Sequence, residues 1–121
     1  MAAETILVVD DDLLVRTFVC AVLEDDGYTV VKAAGGNQAL EVVRSYSGRI
    51  DLLLTDVMMP HMRGTELAPL LLARRPGIPV VYMSASLGEL KPAPQPLLEK
   101  PFSVQELSRA VRAALAQRQA A

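Results

Sequence analysis

The chain predicts an α/β fold built on a doubly wound, five-stranded parallel sheet. Short apolar runs alternate with longer stretches of helical periodicity along its 121 residues, as in βαβ units joined by right-handed crossovers. The runs ILVV, LLLT, PVVYM and PLLE are hydrophobic almost without alternation, the pattern of parallel strands buried on both faces. Each run stops at polar residues: Asp10, Asp11 and Asp12 after the first, then Asp56, Ser84 and Lys100. Open parallel sheets bind ligands at the carboxyl ends of their strands, so one site is expected along one edge of one sheet.

In chain order, residues 5–10 read as strand one. Leu14, Phe18, Val19, Val22 and Leu23 recur at helical spacing, which predicts an amphipathic helix over 12–26. Gly27 ends it, as glycine just past a helix commonly does. Residues 28–34 are strand two. Gly35 and Gly36 open a turn, and 37–46 form a second helix with Leu40 and Val43 inward. Residues 51–55 are strand three. Either Thr65 caps the third helix, with Glu66 in its first turn, or the regular helix starts only at Pro69. It ends near Arg75, before Pro76 and Gly77. Residues 79–83 are strand four and 97–99 a short strand five. Ser103-Val104-Gln105-Glu106 has the S-x-x-E capping-box pattern, and Val104, Leu107, Val111 and Leu115 make the apolar stripe of a last helix. Between strands four and five a helix of roughly 10 residues is expected. Prolines at 92, 94 and 96 forbid a long one, so that helix is shortened to a turn at 86–90 or missing. The elements fit a flavodoxin-like strand order, 2-1-3-4-5, in a single domain spanning 1–121.

Composition narrows the function. With 51% hydrophobic residues the chain can bury a core. A net charge of -2 offers no electrostatic case for nucleic acid or for an anionic membrane. The apolar runs are far shorter than a membrane span, and no basic-then-apolar secretory segment opens the chain. The lone Cys20 falls in an apolar helical pattern and reads as a buried thiol. Without a disulfide framework, a reducing, cytoplasmic location is expected.

The polar strand ends carry the chemistry. In the order 2-1-3-4-5, strands one and three are neighbours at the topological switch point, so Asp10, Asp11 and Asp56 converge. Two carboxylates about 5 Å apart repel by roughly 3 kcal/mol at an effective dielectric of about 20. Such a cluster takes up protons or binds a cation. An open, all-oxygen site suits Mg²⁺ or Mn²⁺, which keep waters and recruit phosphate oxygens. An aspartate there can act as a nucleophile and form an aspartyl phosphate. Lys100 supplies positive charge to phosphoryl oxygens, and the Ser84 hydroxyl can bond another. Backbone N–H groups of Val57, Met58 and Ala85 are expected to be free at the loop starts. His61, in a loop just past the site, reads as a solvated surface residue. Taken singly, these residues have plainer roles: a helix cap for the Asp10–Asp12 run, a turn cap for Asp56, a turn residue for Ser84 and a surface cation for Lys100. All four fall at the same edge in the right chain order, which favours the joint site.

These residues resemble the receiver domain of bacterial two-component response regulators. The likeness runs through ILVVDDD, GYTVVKAAGGNQAL, DLLLTDVMMPHMRGTEL, IPVVYMSA and LLEKPFSVQEL. DVMMPxMxG and KPF at this spacing are its specific parts. The resemblance implies that Asp56 is the phosphoacceptor. It implies that Asp11, Asp56 and the Met58 carbonyl bind Mg²⁺ directly and that Asp10 acts through water. Ser84 becomes the switch hydroxyl and Lys100 the phosphate-sensing cation, with a cis Lys100–Pro101 bond. The implied partner is a sensor histidine kinase or a histidine phosphotransfer domain, docked on the first helix and the loop after Asp56. ETILVVDDD, LLLTDVMMP, VVYMSA and LLEKPFS look most like receiver modules of hybrid sensor histidine kinases. Two features depart from the family. Its switch aromatic lies three residues before the lysine, where this chain has Leu97. The segment between Ser84 and Lys100 is short and rich in proline, so the output face made by the fourth helix, strand five and last helix is rebuilt or lost.

Two other readings compete with a phosphoryl-accepting signalling module that turns over no substrate of its own. A Mg²⁺-dependent aspartyl-phosphate phosphatase typically needs a second Asp two residues after the nucleophile, and that position is Met58. A phosphate-independent interaction module has no need for the acids, Ser84 and Lys100 that are all present.

Overall fold

The computed structural model describes residues 3–85 and 93–120. In chain order they form β1 (Thr5–Val9), α1 (Leu13–Asp25), β2 (Thr29–Ala33), α2 (Gly36–Ser45), β3 (Leu52–Asp56), α3 (Gly64–Arg74), β4 (Val80–Ser84), β5 (Leu97–Glu99) and α4 (Val104–Ala120). The strands make one parallel sheet in the order β2-β1-β3-β4-β5, the flavodoxin-like order expected. Val9 pairs with Ala33 and Thr55, Asp56 with Met83, and Ser84 with Glu99. The strands therefore finish nearly flush, and the loops after them share one edge.

The unbroken apolar runs have their predicted cause in β1 and β3 only: β4 is half-buried at Val80 and Tyr82, and the edge strand β5 exposes Glu99. β1 and β3 are buried along their whole length. Ile6, Val8, Leu52 and Leu54 pack with Val19, Leu23, Leu107 and Val111 of α1 and α4. Leu7, Val9 and Leu53 pack on the other face with Val43, Leu67 and Leu71 of α2 and α3. β2, at one edge of the sheet, exposes Thr29 and Lys32. Cys20 is buried, and burial pushes its thiol pKa up.

Several helix ends follow local chemistry. The Asp12 carboxylate caps α1 by accepting from the Leu14 and Val15 amides. Gly27 closes it with a φ of 98°, a conformation that favours glycine. Its N–H donates to the Glu24 carbonyl while that of Tyr28 donates to Leu23, a complete Schellman motif. At α4 the Ser103 Oγ accepts from the Glu106 amide, and the Glu106 carboxylate accepts from that of Ser103; the predicted capping box is present.

Other expectations are corrected. The third helix is capped neither at Thr65 nor started at Pro69. It starts at Gly64 after an extended Arg63, whose N–H donates to the Glu66 carboxylate at 2.9 Å. Pro69 lies inside it, and Thr65, whose carbonyl loses a partner to that proline, is exposed to water. Leu14 and Phe18, expected in the buried stripe of α1, are 81% and 40% exposed, and Val104 at the start of α4 is also exposed. Leu14 and Val104 share a cause: a helix that follows a strand begins beyond the strand end, so its first turn overhangs the sheet; Phe18, in the second turn of α1, faces Phe102 instead. β3 runs to Asp56 and β4 to Ser84, one residue further than expected, so both polar groups are the last residues of their strands. Residues 93–96 carry no helix. The single turn expected at 86–90 lies outside the described residues.

Candidate functional site at the carboxyl edge of the sheet

Asp10 follows β1 and is fully buried, with its N–H still bonded to the Ala33 carbonyl of β2. One oxygen of its carboxylate accepts from the Asp12 N–H at 2.9 Å, and the Arg16 guanidinium holds its carbonyl at 2.7 Å. Asp11 is exposed beside it. The acidic triplet thus divides: Asp12 caps α1, while Asp10 and Asp11 join Asp56. One oxygen from each of Asp10, Asp11 and Asp56 lies within 4.8 Å of the others.

Asp56 is 6% exposed. Its main chain is pinned by neighbours. The Thr55 hydroxyl donates to its carbonyl. Gly64 lies so close that an added Cβ would stand 2.2 Å from the same carbonyl oxygen, so only glycine fits there. The Val57 N–H, expected to be free, donates to Met83 at 2.9 Å; that amide extends the β3–β4 ladder. The Met58 N–H instead bonds the Asp56 carboxylate.

Lys100, just past β5, reaches across the edge. Its Nζ is 2.9 Å from Asp10 and 3.5 Å from Asp56. The Lys100–Pro101 bond is cis. Burial opposes the lysine charge, but the hydrogen bond and charge of Asp10, then the charge of Asp56, outweigh it, and its pKa is raised. At Asp56 the balance goes the other way. Burial first and the Asp10 charge second push its pKa up to about 6, against Lys100 and the Met58 N–H. Three carboxylates against one ammonium leave the cluster short of positive charge. An all-oxygen donor set of this kind fits a small, hard divalent cation.

Ser84 is buried at the end of β4, one residue beyond the register partner of Asp56, and its carbonyl accepts the Lys100 N–H at 2.9 Å. His61 is exposed, as expected, and together with Asp11, Gly36 and Met62 it lines a cleft of about 300 Å³ beside the acids. On the other side of Lys100 an apolar groove of about 500 Å³ is walled by Leu14, Val15, Phe18, Pro101 and Phe102. The ring centroids of Phe18 and Phe102 are 6.3 Å apart. Phe102, in the KPF motif, is one wall of this groove. The available signal for the groove was that the chain has only two phenylalanines, one of them next to the lysine dipeptide.

The model of the response regulator receiver domain matches residues 6–112. The chain belongs to this family. Among its relatives, the sensor kinase CckA of Brucella abortus is 33% identical over 114 residues, which cover 89% of this chain and 12% of that protein. The response regulator MprA of Mycobacterium ulcerans is 39% identical over 116 residues, 91% of this chain and 49% of that one. The chain thus spans half or less of these relatives. Solved receiver domains match it nearly end to end. That of the hybrid histidine kinase CckA aligns with a TM-score of 0.80 at 30% identity, covering 93% of this chain and 99% of that one. A response regulator receiver protein from Sinorhizobium medicae aligns with a TM-score of 0.83 at 32% identity, covering 96% and 97%. The receiver domain serves two-component signal transduction as a phosphoryl acceptor. Among its described residues no helix is long and apolar enough to cross a membrane.

Proposed function

We propose that Asp56 is the phosphoryl acceptor of this receiver domain, that Asp10, Asp11, Asp56 and the Met58 carbonyl hold Mg²⁺ (or Mn²⁺), and that Ser84 and Lys100 read the attached group. The observation that carries the reading is a nearly buried Asp56 with two carboxylates and one lysine ammonium around it. An Asp56 oxygen attacks the phosphorus of a phosphohistidine on the donor, the P–N bond breaks, and its electron pair returns to the imidazole. A metal ion held there would supply positive charge against the phosphoryl oxygens. Lys100 meets one of these oxygens, leaving its present carboxylate partners, and the Ser84 hydroxyl donates to another. The added charge of about -1.5 to -2 draws both groups toward it. Asp10, released from Lys100, is then free to face the cation.

The donor is a sensor histidine kinase or a histidine phosphotransfer domain in the cytoplasm. The domain is a single unit over 1–121, and its likeness to the CckA receiver is consistent with a place in a longer hybrid kinase chain. The domain assists its own phosphorylation and dephosphorylation rather than turning over a separate substrate. Met58, where a phosphatase would need an acid, supports this. The test is uptake of phosphate from acetyl phosphate and Mg²⁺, followed by intact mass. The native chain gains one phosphoryl group and Asp56→Asn gains none; uptake by Asp56→Asn would overturn the assignment.

A further inference from the structure

Tyr82 of β4 and Leu97 of β5 are register partners. Side chains alternate along a strand, so Tyr82 stands on the same face as Ser84, two residues on. Both Tyr82 and Leu97 are half-buried, and Tyr82 packs against the apolar cluster beneath α2 and α3. The main chain links this pair to the site. The Tyr82 N–H donates to Pro96 at 2.9 Å, and two residues along the Lys100 N–H donates to Ser84 at 2.9 Å. A displacement of the Ser84 segment is therefore passed to Tyr82 along one short strand that is cross-bonded to the turn before β5 and to Lys100.

Leu97 offers no ring that could change its packing. Tyr82, directly beside it, offers both a ring and a hydroxyl, and burial already pushes its phenol pKa up. We propose that Tyr82 is the aromatic side chain that responds to the load on Asp56: when Ser84 is drawn toward a phosphoryl group, the Tyr82 ring repacks over Leu97. The inference rests on the roles given above to Asp56 and Ser84.

The chain suits a direct test, because it has three tyrosines and no tryptophan. Tyr28 precedes β2 and Tyr46 follows α2, so both lie toward the opposite edge of the sheet from Asp56. The full chain is labelled with 3-fluorotyrosine, and Tyr82→Phe identifies the Tyr82 signal in the fluorine NMR spectrum. Acetyl phosphate and Mg²⁺ are then added, with phosphorylation followed by intact mass. The Tyr82 signal is expected to move by more than its linewidth, while those of Tyr28 and Tyr46 stay in place. At equal fractional phosphorylation, Ser84→Ala should lose the Tyr82 movement. A phosphorylated native chain with an unmoved Tyr82 signal overturns this inference alone. A movement unchanged in Ser84→Ala overturns the route through Ser84. A chain that takes up no phosphoryl group overturns the reading of Asp56 as well.

Discussion

At Asp56, burial and the neighbouring Asp10 disfavour the charge that Lys100 and the Met58 N–H favour, and the first pair wins. The carboxyl therefore holds its proton up to about pH 6, against 3.8 for an unperturbed group. The folded state binds more protons than the unfolded state between these values, so stability falls as pH rises through this window. Below about pH 4 there is no penalty; above about pH 6 it is complete, at most about 3 kcal/mol. Without metal, Asp56→Asn is accordingly expected to stabilise the domain by about 1–3 kcal/mol at pH 7.5, with the gain vanishing near pH 4. Urea unfolding in EDTA at the two pH values measures it. The same titration governs capture of a cation by the metal-free domain, because only the carboxylate is a ligand. Mg²⁺ affinity should decline as pH falls through about 6, and a Kd flat from pH 5 to 8 would contradict the environment described for Asp56.

Among the elements, α1 and α3 have contrasting ends. The first two turns of α1 and the chain before α4 leave Leu14, Phe18 and Phe102 around an apolar groove beside Lys100. The docking proposed for the phosphohistidine donor, on the first helix, would use this groove. Leu14→Ser with Phe18→Ser is expected to slow transfer from a phosphorylated histidine phosphotransfer domain at least tenfold. The same pair should leave the rate with acetyl phosphate within twofold, since a small donor needs no groove. At the far end of α3, the Arg75 guanidinium donates to the carbonyls of Val43, Tyr46 and Gly48. It thereby satisfies the carboxyl end of α2 and the chain beyond it. Hydrogen bonds from a charged donor are worth about 1.5–3 kcal/mol each at most, and water replaces part of them. Arg75→Ala is therefore expected to cost about 2 kcal/mol in chemical denaturation, with little effect on phosphoryl uptake.

For the molecule as a whole, the carboxyl edge of the sheet is electrostatically unfinished, so a divalent cation should stabilise the entire domain. At Mg²⁺ one hundred times its Kd the gain is about 2.7 kcal/mol. It should appear as a raised Tm in the native chain and disappear in Asp11→Asn. Most of this edge was legible in the sequence because a parallel sheet buries its strands on both faces, so each ends visibly where an apolar run meets Asp10, Asp56, Ser84 or Lys100. Periodicity could not show that the first turn of α1 overhangs the sheet, since Leu14 has the same spacing as residues that reach the core. Nor could it assign the Val57 amide to the ladder or choose Arg63 over Thr65 as a cap, because both depend on where a strand or loop happens to stop. Asp51, just before β3, accepts from the Thr5 amide and is bridged by Arg49 and Arg118. Asp56, at the other end of the same strand, shares one lysine with Asp10. Neutralising these two buried acids should have opposite consequences. Asp51→Asn unties a finished knot and weakens the fold, whereas Asp56→Asn relaxes a held spring. One strand thus anchors the domain at its amino end and keeps tension in reserve at its carboxyl end.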